Sequence, residues 1–230
     1  MLRLVFCDVD GTVLPHGETT LSSDLCDTLR RLTDRGITVA IASGRPYAQL
    51  RSLFGTLAHR LIFICLDGAL TMEKNCVLHK RPLPRDAALE LLQHFPHAAI
   101  HGRETVYCLG NAPTDGRHID SPNEVGEPFL KLELFTGYTP PESPNYRIAY
   151  RETGLVELVA PCANKGNAAV KLMQKLGITR DQTVAFGDGE NDAELLSVVG
   201  QPYRMRGTLP ASTAPETDNV VHTLHTLFNI

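Results

Sequence analysis

Residues 4–12 read LVFCDVDGT. Apolar residues run directly into Asp8 and Asp10, one residue apart, followed by Gly11 and Thr12. Leu2 to Cys7 reads as a buried strand, and a buried strand ending on like charges needs something to hold them there. Successive strand residues point to opposite sides, so Asp8 and Asp10 share a side across Val9.

Outward from this stretch, strand-like and helix-like segments alternate. Ser22 caps a helix with Leu25, Leu29 and Leu32 inward and Gly36 as its stop. Ile37 to Ala42 is a second apolar strand. Pro46 suits the first turn of a helix with Tyr47, Leu50, Leu53, Phe54 and Leu57 inward, and Leu61 to Leu66 is a third strand. This alternation predicts a parallel sheet with helices on both faces, a Rossmann-like three-layer α/β core.

The character changes at "KRPLPRD", residues 80–86, which reads as a linker. Pro84 opens a helix, and short strand-like runs follow at 98–101, 105–109, 130–135, 146–151 and 155–159, separated by Gly- and Pro-rich turns. These predict a largely antiparallel α+β module. The first pattern returns after Pro161: a helix from Lys165 to Leu176, a strand at 183–186, a helix after "GDGEND", and a terminal helix from Val220 to Phe228. One core, residues 1–80 and 161–230, is thus expected to be interrupted by an inserted module, residues 81–160.

Composition bounds the function. The chain has 230 residues, a net charge of -4 and 21% charged residues. No basic surface for nucleic acid is expected. The N-terminal apolar run is too short for a signal peptide, and no segment is long enough to span a membrane. Six cysteines without Cys-x-x-Cys spacing argue against a disulfide framework or zinc site and for a reducing compartment, here the cytoplasm. His94, His97 and His101 lie close together, but Pro96 breaks helical spacing, and they are read as surface or structural residues.

Ligands of parallel α/β sheets bind beyond the carboxyl ends of the strands. Asp8 and Asp10, Ser43-Gly44-Arg45, Lys165, and Asp188, Asn191 and Asp192 all fall at such ends. Gathered carboxylates call for a hard divalent cation, and Mg²⁺ suits an all-oxygen set. Ser43 offers a hydroxyl, Gly44 an unobstructed N–H, and Lys165 a positive charge at a helix start. Together these describe phosphoryl transfer, in which a carboxylate can attack phosphorus and water later releases the product.

These residues resemble the four motifs of the haloacid dehalogenase-like superfamily: "DVDGT", "SGR", "NKG" and "GDGEND". The position of the insertion, between the second and third motifs, is similar to that in the Cof-type subfamily of sugar-phosphate phosphatases, where it forms a cap. The resemblance implies that Asp8 is the nucleophile and that Asp10 protonates the leaving oxygen and then activates water. Mg²⁺ would be held by the Asp8 carboxylate, the Asp10 backbone carbonyl and Asp188, with Asp192 supporting the site through water. Ser43, Gly44 and Lys165 would hold the phosphoryl group. Asn191 would contact the phosphate or a metal-bound water, and Thr12 would secure the turn. The substrate would be a small phosphorylated metabolite, probed under a closing cap, and the protein a monomer or small homo-oligomer without nucleic-acid or membrane partners.

Two departures from the subfamily stand out. Asp67-Gly68-Ala69 replaces Asn-Gly-Ala; Asp67 is read as a turn residue. The loop Arg204 to Thr213 replaces a Met-Gly-Asn-Ala-like segment. Alternatives are a phosphoglycolate phosphatase, a sugar phosphomutase or a non-catalytic phospho-aspartate switch; Asp10 argues against the switch. Arg103, Arg117, His118, Tyr138 and Arg147 are polar candidates for substrate contact in the inserted module, each read first as a surface residue.

Overall fold

The computed structural model describes residues 1–230, which divide into two compact units. In chain order the first unit begins with β1 (Leu4–Cys7), α1 (Ser23–Asp34), β2 (Thr38–Ala42), α2 (Tyr47–Phe54), β3 (Ile62–Cys65), β4 (Leu70–Glu73) and β5 (Cys76–Lys80). The inserted unit, Lys80–Ala163, carries α3 (Arg85–Leu92), β6 (Ala98–His101), β7 (Val106–Leu109), β8 (Arg117–Ile119), β9 (Lys131–Phe135), β10 (Arg147–Glu152) and β11 (Leu155–Val159). The chain then returns with α4 (Lys165–Leu176), β12 (Thr183–Gly187), α5 (Ala193–Val198), β13 (Gln201–Met205), β14 (Glu216–Thr217) and α6 (Val220–Phe228).

The first unit is built on an eight-stranded sheet in the order β14-β13-β12-β1-β2-β3-β4-β5. Its strands are parallel from β14 to β3, and β3 pairs antiparallel with β4. The predicted core is therefore extended by a hairpin-like edge at 70–80 and by β13 and β14, none of which the sequence reading assigned. The β13 sequence, QPYRM, has no alternation or apolar run to mark it as a strand.

All four β1 residues are buried because both sheet faces are covered. Leu4 and Phe6 pack with Ala168, Ala169 and Leu172 of α4 and Leu195 of α5. The alternate residues turn to the opposite layer, where Tyr47 and Phe54 of α2 meet the ring of Phe63 edge-on at 5.7 Å. Each fully buried Leu or Phe contributes about 1.5–3 kcal/mol from leaving water. The helices start as their sequences dictate: Ser22 Oγ accepts from Leu25 N at 3.2 Å, and the Asn164 side chain accepts from Asn167 N at 2.6 Å. Gly177 ends α4 in the left-handed region.

The inserted unit has its own six-stranded sheet, β10-β11-β9-β6-β7-β8, antiparallel except between β7 and β8. One face packs Ile100, Leu132, Leu134, Val156 and Leu158 with Leu91 and Leu92 of α3. The other carries polar pairs: Lys131 Nζ lies 2.5 Å from Glu157, and His101 Nε2 lies 2.9 Å from Glu133. His97 Nδ1 accepts from Asn111 N at 3.0 Å. All six cysteines are free, with Cys7, Cys65 and Cys108 buried. No helix is long and apolar enough to cross a membrane.

Candidate active site

The chain runs from β1 outward to β2 and β3, and returns after the insertion to place β12 on the other side of β1. The order of strands thus reverses between β1 and β12, which is where a parallel sheet opens a crevice at its carboxyl end. Asp8 follows β1 and Asp188 follows β12, so this reversal makes them neighbours.

Lys165 sits between the acids. Its Nζ lies 2.7 Å from Asp8 Oδ1 and 2.7 Å from Asp192 Oδ1, in a position only 1% exposed. Burial alone would lower its pKa, but Asp8, Asp192 and Asp67 outweigh that and raise it, so the ammonium is permanent. One lysine cannot compensate every carboxylate here. Burial, followed by the Asp8 charge, pushes Asp188 up to about 6. Asp192 is raised too, its burial outranking the pull of Lys165.

Asp8, Asp188 and Asp192 each bring a carboxylate oxygen within 4.8 Å of the others. An all-carboxylate set whose members repel one another fits a hard divalent cation such as Mg²⁺. Asp192 has other obligations: Oδ1 accepts from Lys165, and Oδ2 accepts from the backbone N–H groups of Asp188 and Gly189 at 3.2 and 3.0 Å. It therefore shapes the Asp188 loop from inside. Gly11 closes against the same loop. Its φ is +81°, and a Cβ there would stand 2.1 Å from Asp188 Oδ2, so no other residue fits without moving the acid. Thr12 Oγ1 makes a long 3.4 Å contact to Asp188, and the exposed His16 approaches it at 3.6 Å.

Asp10 is half-exposed and gripped by Arg45 through two contacts, Nε at 2.9 Å and Nη2 at 2.5 Å. Ser43 is buried, and its Oγ accepts from Arg45 N at 3.2 Å. An accepting hydroxyl still has its own proton to donate. Asn191 donates Nδ2 to Asp67 at 3.0 Å. Asp67 is indeed in a turn, with φ 52° and ψ 36°, but its side chain is 1% exposed and faces these motif residues. The Arg45 clamp and the Asp67–Asn191 contact are what sequence reasoning missed. Both join residues far apart in the chain, and only the Asn-to-Asp departure at 67 gave a signal.

The residues suggested in the inserted module are scattered. Arg103 pairs with its neighbour Glu104 at 2.9 Å; Arg117 and His118 are exposed on β8; Tyr138 is 81% exposed; Arg147 is partly buried at the start of β10. None of the sequence signals pointed to Lys131, Glu133 or Glu157, whose side chains are largely enclosed.

The family model for haloacid dehalogenase-like hydrolases matches residues 5–125 and 130–211, which include every one of these motif residues. The chain belongs to that family. As a haloacid dehalogenase-like hydrolase it is similar to an HMP-PP phosphatase of Enterobacter sp. (strain 638), 30% identical over 91% of this chain and 86% of the relative. It is also similar to a 5-amino-6-(5-phospho-D-ribitylamino)uracil phosphatase of Escherichia coli (strain K12), 24% identical over 93% of this chain and 88% of the relative. The fold matches a solved subclass IIB sugar phosphatase of the superfamily at a TM-score of 0.80, with 16% identity, covering 99% of this chain and 100% of that one. The haloacid dehalogenase-like core with an inserted α+β unit is thus the fold of this hydrolase.

Proposed function

We propose that this hydrolase cleaves small phosphomonoesters through an aspartyl-phosphate on Asp8, with Mg²⁺ bound by Asp8, Asp188 and the Asp10 backbone carbonyl. The observation that carries the reading is the buried Asp8, held by Lys165 at 2.7 Å among the acids of the reversal point. Bound there, the cation would neutralise charge between the attacking carboxylate and the phosphoryl oxygens.

The chain's own groups account for the remaining steps. Lys165, the Ser43 hydroxyl and the Gly44 N–H hold the phosphoryl oxygens. An Asp8 oxygen attacks phosphorus as the ester P–O bond breaks, and Asp10 gives a proton to the departing alkoxide. Asp10, now a carboxylate, takes a proton from water. The resulting oxygen attacks the same phosphorus, releasing inorganic phosphate and restoring Asp8. Arg45 grips the Asp10 carboxylate through two nitrogens, an arrangement that suits the ionised Asp10 of the water-activating step.

The two relatives are named for phosphorylated metabolites of quite different shape, so the substrate class proposed here is the small phosphorylated metabolite, sugar phosphates included. A phosphate-release assay over sugar phosphates, nucleotides, phosphoglycolate and HMP-PP tests the reading. Activity that vanishes on chelation, returns with Mg²⁺ and is absent in Asp8→Asn supports it. Full turnover by Asp8→Asn, or in the presence of excess chelator, contradicts it.

A further inference from the structure

Asp67 stands where the resemblance calls for asparagine. Its backbone and that of Leu66 both occupy the left-handed region, at φ 52° and 51°, which costs non-glycine residues conformational energy. Such strain persists only where the surroundings enforce it. Here they do. Asp67 N donates to the Ser43 carbonyl at 3.2 Å, and its carboxylate oxygens lie 3.1 and 3.2 Å from where a Cβ on Gly44 would stand. Its charge also bears on Lys165. Across 124 residues of chain, Asp67 Oδ1 accepts from Asn191 Nδ2 at 3.0 Å.

The last contact has a chemical direction. An ionised carboxylate only accepts, so it draws the amide nitrogen of Asn191 toward itself and turns the amide oxygen away. That oxygen faces Gly189, 2.6 Å from where a Gly189 Cβ would be. The same loop is held on its inner side by Asp192, which accepts from Asp188 N and Gly189 N. The loop carrying Asp188 is therefore tied at two points, and the outer tie ends on Asp67.

We propose that Asp67 is a positioning residue for the reaction: it anchors Asn191 by the amide nitrogen and, through it, sets the 187–192 loop that presents Asp188. The proposal rests on the phosphatase reading for its consequence in turnover, but the tie itself is measurable without turnover. Mn²⁺ binding to the purified full chain, followed by electron paramagnetic resonance, reads the metal affinity of the site that includes Asp188.

Removing a partner that orients a metal ligand typically weakens metal binding about 10–100-fold. Asp67→Ala is expected to do so, and to lower kcat at saturating Mg²⁺. Asp67→Asn keeps an accepting oxygen and tolerates the left-handed backbone, so it is expected to restore most of the Mn²⁺ affinity. Asn191→Ala should weaken Mn²⁺ like Asp67→Ala, and the double variant should be no worse than either single one, because both act through one contact. Mn²⁺ affinity unchanged in Asp67→Ala, or losses that add in the double variant, would overturn the proposal. A lower melting temperature with wild-type Mn²⁺ binding would overturn it too, since that is what a purely structural residue gives. If Asp67→Ala fails to fold, Asn191→Asp decides: it sets carboxylate against carboxylate and must weaken Mn²⁺ binding. A wild-type chain that binds Mn²⁺ but releases no phosphate refutes the phosphatase reading and leaves the tie to be judged on the binding data.

Discussion

Asp8, Lys165 and Asp192 form a buried group with one cation between two anions, and Asp188 stands close by as a further acid. The excess negative charge has a consequence for stability. Asp188 is pushed up to about 6 by burial and by Asp8, above its value in the unfolded chain. A raised carboxyl favours the folded state while protonated, and that contribution is lost as pH rises through about 6. A divalent cation binds only the ionised form, so it competes with the proton. Added Mg²⁺ should therefore raise the melting temperature little at pH 5 and much more at pH 7. Thermal unfolding at the two pH values, with and without Mg²⁺, checks this; an equal rise at both would contradict it. Asp8, Asp188 and Lys165 were legible in the sequence because each follows an apolar strand or opens a helix. Arg45 on Asp10 and Asp67 on Asn191 were not, because long-range pairing leaves no periodic mark.

Helices and strands place these residues, and their signals were uneven. The helix over 165–176 was plain from its apolar spacing and its Gly177 stop. The strands β4, β5, β13 and β14 were not, because their sequences mix polar and apolar residues without a continuous apolar run. The same is true of β8, whose RHI sequence is exposed at two of three positions. The join between the β3 end and α4 is especially tight. Gly68 has φ +90°, and a Cβ on it would lie 2.2 Å from the Asn164 carbonyl oxygen, a backbone atom that cannot swing aside. Asn164 is the N-cap of α4, immediately before Lys165. Gly68→Ala should therefore displace the start of this helix and take Lys165 out of register with Asp8. The expected outcome is a large loss of phosphatase activity together with a lower melting temperature. Wild-type activity in a folded Gly68→Ala variant would show that the start of α4 tolerates movement.

Over the whole chain, the β1–β12 pairing joins a strand before the insertion to one after it, so the catalytic unit is completed only when both parts are present. The insertion could be read from the change of rhythm at residues 80–86 and the return after Pro161, while the order of strands that makes Asp8 and Asp188 neighbours could not, because no local pattern tells on which side of β1 the returning strand pairs. The central claim is the division of labour between Asp8 and Asp10. Under the roles proposed above, Asp10→Asn would leave the attacking carboxylate in place but remove the proton carrier, a loss that typically costs about 10²–10⁴-fold. An aryl phosphate whose leaving group needs no proton should still transfer its phosphoryl group, whereas the later attack by water lacks its base. Rapid acid quench of Asp10→Asn with such a substrate, followed by mass spectrometry of its peptides, tests the claim most directly. The account predicts a phosphoryl group that accumulates on Asp8; label on Asp10, or on no aspartate while turnover continues, would contradict it.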